Sequence, residues 1–94
     1  MQDLLRKKLE IQLISSVNSL LSNPNIRYLS HKRITIKFYK MGFSSFGIHD
    51  VTLSRMASNI LVQLEELGYV KIYFIRKKRK LYEVVKHEEA KELC

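Results

Sequence analysis

The chain has 94 residues, with 17 Lys or Arg against nine Asp or Glu, a formal charge of +8 and a pI near 9.8. This is one small domain, and 46% apolar with 10% aromatic residues suffices for a packed core and argues against general disorder. No apolar run approaches the roughly 18–20 residues that cross a bilayer. The charged start MQDLLRKKLEI lacks the apolar core of a signal peptide, and the single Cys94 leaves no intrachain disulfide, so a cytoplasmic protein is expected.

Residues 3–22 are predicted to form a helix, because Leu5, Leu9, Leu13, Val17, Leu20 and Leu21 recur at three or four residues. Asp3 is its expected N-cap, and Pro24 in the SNPN of 22–25 stops it. Leu4, Ile11 and Ile14 lie off that stripe. Residues 30–42 fit two periods. Ile34, Phe38 and Met41 mark a helical face between a Ser30 cap and a Gly42 stop, while Ile34, Ile36 and Phe38 alternate like a strand. The helix is the adopted reading.

FSSFGIHD at 43–50 is read as a turn ending on Asp50 as a cap. A helix follows over 50–67, with Leu53, Ala57, Ile60, Leu61, Leu64 and Leu67 on one face and Gly68 closing it. The opposite face carries Thr52, Arg55, Asn59, Gln63 and Glu66. Over 69–85 the period changes to two, which predicts a β-hairpin. Folding about Lys77–Lys78 sets Ile75 opposite Lys80, Tyr73 opposite Tyr82 and Ile72 opposite Glu83. The tip has no glycine, so a loop of four or more residues is expected there. Residues 86–94 suggest a polar tail or short helix.

Little here can assemble a catalytic centre. His31, His49 and His87 are far apart and lack metal-ligand spacing, while Asp3 and Asp50 serve as caps. GFSSFG lacks the Gly-Lys-Ser/Thr ending of a phosphate loop. No catalytic residue, metal, cofactor or small-molecule ligand is therefore expected.

The charge is more informative. Residues 1–47 carry eight basic and two acidic residues (+6), and 48–94 carry nine and seven (+2). Arg76, Lys77, Lys78, Arg79 and Lys80 alone supply +5 of that second half. Five adjacent cations repel one another and add nothing to a core, so they point to a polyanionic partner, with a solvated charge run or localisation signal as the bland alternative. Arg55, Asn59 and Gln63, spaced by four, form one helical stripe of the residue types that read guanine and adenine edges. Thr52, Ser54 and His49 near that helix start suit phosphate contacts. The same stripe would also pass as an ordinary solvated face. Arg6, Lys7, Lys8, Lys32, Arg33, Lys37 and Lys40 extend the possible footprint.

The segment TLSRMASNILVQLEELGYVKIYF, followed by the basic hairpin, resembles the winged helix-turn-helix superfamily. Leu64, Glu65, Glu66, Leu67, Gly68, Tyr69 and Val70 carry the likeness, which spans about residues 4–85. The link between 41 and 50 is longer than the short turn of that pattern. The resemblance implies an α+β domain of three helices and a hairpin wing, with 50–67 as recognition helix in the major groove and 76–80 on phosphates. Its implied function is sequence-specific double-stranded DNA binding as a transcriptional regulator. The alternative it offers is a protein-interaction module in a replication, transcription or division assembly. The surplus apolar surface of 3–22 leads to an expected homodimer through that helix and the C-terminal segment, although packing of that segment on the helix within one chain fits equally.

Overall fold

The structure, a computed structural model, describes residues 2–45, 47–77 and 79–93. Helix α1 (Gln2–Leu21) buries Leu9, Leu13, Val17, Leu20 and Leu21, as their spacing requires. Leu5 of the same stripe is exposed, because the first turns run past the elements packed on α1. Ile14, expected off the stripe, is buried. The helix begins at Gln2, so Asp3 falls inside its first turn and is not the N-cap. Beyond α1, the Asn23 side chain accepts from the Asn25 N–H at 2.9 Å and tightens the turn around Pro24.

The chain then forms β1 (Tyr28–Leu29), a two-residue strand too short to leave a periodic signal. Helix α2 (His31–Lys40) follows, and the 30–42 ambiguity resolves as helix. The Ser30 hydroxyl caps it by accepting from the Arg33 N–H at 3.2 Å. Ile34 and Phe38 enter the core while Ile36 faces outward, which a half-buried strand would not allow. Past Met41, Gly42 takes a φ of +86°, the left-handed conformation that suits glycine.

The long link to α3 (Asp50–Leu67) is fastened at several points. Phe43 packs its ring 5.5 Å from that of Phe38, Ile48 sits partly buried, and the Tyr39 hydroxyl donates to the Asp50 carboxylate at 3.0 Å. The cap of α3 is His49, through its backbone alone, and Asp50 is the first helical residue, so the expected Asp50 cap is corrected by one position. Its carboxylate is engaged by Tyr39 instead. On α3, Leu53, Met56, Ala57, Ile60, Leu61 and Leu64 are buried, and Leu67 is partly exposed at the helix end. Gly68 at φ +85° ends the helix, and the Tyr69 N–H returns to the Leu64 carbonyl at 2.9 Å.

Strands β2 (Val70–Arg76) and β3 (Arg79–Val84) form the hairpin, and β1 joins β3 to give an antiparallel sheet of order β1-β3-β2. At the tip the register is as expected, with Ile75 opposite Lys80. Below it a bulge at Tyr73 shifts the pairing by one, placing Ile72 opposite Tyr82 and Lys71 opposite Glu83. Tyr73 is thereby freed from Tyr82 and its ring lies 4.9 Å from that of Tyr28. The tip is also tighter than expected: pairing runs to Arg76 and Arg79, and Lys77 adopts a φ of +55° in place of a glycine. Lys78 lies outside the described residues. Only Val70 of β2 is buried; the rest of the strand projects beyond the core.

The expected C-terminal helix reduces to a 3-10 turn at Lys91–Leu93. Hydrogen bonds fasten this tail to the core at several points. The Ala90 N–H donates to the Asn18 side chain on α1 at 2.9 Å, and the Tyr69 hydroxyl donates to Glu92 at 2.8 Å. The tail thus covers part of α1 within one chain. That bond to Glu92, with burial, pushes the Tyr69 phenol up to about 12 and holds the Glu92 carboxyl below its ordinary range. Between pH 10 and 12 the unfolded phenol has released its proton while the folded one retains it, so stability falls as pH rises across that window. Denaturant titrations across the window are expected to show a shallower decline for Tyr69→Phe than for the wild type. Equal declines would mean that this bond does not persist in solution. No helix among the described residues is long and apolar enough to cross a membrane.

Candidate nucleic-acid interface

Helix α3 presents Arg55, Asn59 and Gln63 as one exposed stripe, as their spacing dictates. Thr52 and Ser54 are half-buried at its first turns, and His49 is exposed just before it. The His49 carbonyl accepts from the Thr52 and Leu53 N–H groups, which leaves its imidazole out of the capping bonds. Helix α3 itself is net acidic, with Arg55 alone against Asp50, Glu65 and Glu66.

Positive charge gathers on two other elements. Arg76, Lys77, Arg79 and Lys80 are exposed around the hairpin tip, and the register sets Arg76 directly opposite Arg79. Like charges on facing positions of an antiparallel pair oppose its formation. Among the described residues Lys71 pairs with Glu83 at 3.1 Å, but no carboxylate stands within that reach of the four tip cations. Among the described residues, no ion pair offsets their repulsion.

The second element is α2, which carries Lys32, Arg33, Lys37 and Lys40 without an acidic residue. All four border a shallow hollow of about 570 Å³ floored in part by Ile26 and Ile36. Lys32 also borders a groove of about 380 Å³ between the start of α2 and the hairpin, shared with Arg76, Arg79 and Lys80. Lys80 and His31 in turn border a smaller cleft against Ser58 and Val62 of α3, next to Asn59 and Gln63. The hairpin tip and α2 therefore share one basic groove, and Lys80 and His31 link it to α3 at Ser58 and Val62.

Of the hairpin candidates, Lys80 borders a cleft against α3, although Arg55, Asn59 and Gln63 do not line it, and four α2 cations border the neighbouring hollow. The sequence signal for α2 was its run of four cations free of acids. His31, set aside as a poor metal ligand, sits at the junction of the two clefts. Arg6, Lys7 and Lys8 lie on exposed α1, outside the residues that border these clefts. Among the described residues no three His, Cys, Asp or Glu side chains cluster closely enough to hold a metal ion. No family model, curated protein or solved structure matches this chain.

Proposed function

We propose that this is a winged-helix protein that binds double-stranded DNA without catalysis, in a regulatory role. The observation that carries the reading is the hairpin tip, where four exposed cations, two of them directly opposed, have no carboxylate within ion-pair distance among the described residues. A phosphate backbone would relieve that repulsion and release counterions on binding. The fold supports the reading as far as its order goes: three helices, then a hairpin extending past the core beside the third helix. In this reading Arg55, Asn59 and Gln63 meet base edges, while α2 and the tip hold the flanking phosphates.

The double variant Arg55→Ala, Asn59→Ala tests the assignment of bases to α3. Each well-formed base contact is worth roughly 1–3 kcal/mol of discrimination, so preference among duplex sequences should collapse by tenfold or more on the order of that range. Affinity for mixed-sequence duplex should persist. A uniform loss across all sequences would mean that α3 touches phosphate alone.

A second reading, self-association through α1, is favoured by Leu4 at 75% and Ile11 at 64% exposed, seven residues apart on one helix. Sedimentation equilibrium over a range of concentrations should then give a mass above that of one chain. A constant mass of 11.1 kDa would exclude it.

A further inference from the structure

Strand β2 exposes four large apolar side chains in a row, Ile72, Tyr73, Phe74 and Ile75, at 40–57%. Such a run is costly on a basic hairpin unless something covers it. Phe74 is singled out among the four by its position. With Leu81 it forms the apolar part of the groove between α2 and the hairpin, whose remaining border includes Lys32, Arg76, Arg79 and Lys80. An aromatic surface bracketed by cations from two elements matches a ligand that joins a flat apolar ring to phosphate. The volume, about 380 Å³, is at the small end of ligand pockets and suits one such unit.

Within a duplex, base faces are stacked on their neighbours and only edges and phosphates are open to a protein. The Phe74 ring lines a groove and does not project as a wedge, so a base that has left the helix is the partner it suits. We infer that this groove takes one unpaired nucleotide next to the bound duplex, with its base on Phe74 and its phosphates between Lys32 and the hairpin cations. This rests on the DNA-binding reading and adds a preference for duplex that ends in, or is interrupted by, single strand.

The test compares a blunt duplex with the same duplex carrying a short single-stranded thymine tail, by fluorescence anisotropy at fixed salt. Wild-type protein should bind the tailed duplex about tenfold more tightly, the scale of one aromatic stack. Phe74→Ala should remove that difference and leave blunt-duplex affinity unchanged, whereas Phe74→Tyr should keep it. A fluorescent purine analogue placed in the tail should be quenched by the wild type and not by Phe74→Ala. Phe74 is half exposed on an edge strand, and coincident thermal melts of the variants will show that the fold is kept. Equal affinity of the wild type for both duplexes overturns the inference while DNA binding stands. A tail preference that survives in Phe74→Ala overturns this groove as its site. Binding of the tailed duplex alone supports the groove and removes the duplex reading, and failure to bind either removes both.

Discussion

Replacing Arg76, Lys77, Arg79 and Lys80 by serine is expected to flatten the salt dependence of duplex binding without unfolding the protein. If five to seven phosphates are engaged, the wild-type slope of log affinity against log salt is roughly −4.5 to −6, at about −0.9 per contact. Losing four contacts should bring the slope up by about 3 to 4, and at 0.1 M salt should cost on the order of 10³-fold in affinity. The fold should survive because all four side chains are exposed and the substitution removes the opposed Arg76 and Arg79. Melting temperature should hold or rise. An unchanged slope with intact folding would take the phosphates away from the hairpin and leave α2 as the electrostatic contact. An absence of duplex binding by the wild type at low salt would remove the DNA reading itself.

Phe38→Ala should have the largest effect on stability. Phe38 is fully buried, with the Phe43 ring at 5.5 Å and the Tyr39 ring at 5.2 Å, so it joins α2 to the link that leads into α3. Truncating a buried Phe costs roughly 3–5 kcal/mol, against about 5–15 kcal/mol for the total stability of a domain of this kind. A fall in melting temperature of roughly 12–40 °C by circular dichroism is expected, at about 4–8 °C per kcal/mol. Ile36→Ala, on the outward face of the same helix, should change stability by less than about 0.5 kcal/mol. Equal effects from the two would mean that α2 presents a different face to the core.

The helices were legible because each buries one face, and a buried face imprints a period of 3.6 on the chain. Leu9, Leu13 and Val17 on α1, and Leu53, Ile60 and Leu64 on α3, are apolar where that period places them and buried in the structure. Apart from Leu5 and Ile14 on α1, the errors in burial and pairing fall where no such constraint acts. Strand β1 has two residues, so no alternation could mark it, and its pairing with β3 is a contact between residues more than fifty positions apart. The bulge at Tyr73 was equally silent, since the strand beyond Val70 buries neither face and nothing in its pattern fixes the register.

The candidate site divides the same way. The stripe of Arg55, Asn59 and Gln63 follows from spacing alone, because a helix must bring residues four apart to one side. The cationic block at 76–80 is likewise plain in the chain, as is its place after a helix and a glycine. Only the tertiary structure decides that Lys32 of α2 and Arg76, Arg79 and Lys80 of the hairpin border one groove, with Phe74 inside it. Local periodicity reports which face of an element meets the core, but it carries no record of which outward faces become neighbours. That is set by how α2, α3 and the sheet pack around Phe38, Leu61 and Tyr82, a matter of volumes and long-range pairing that no short window of sequence contains.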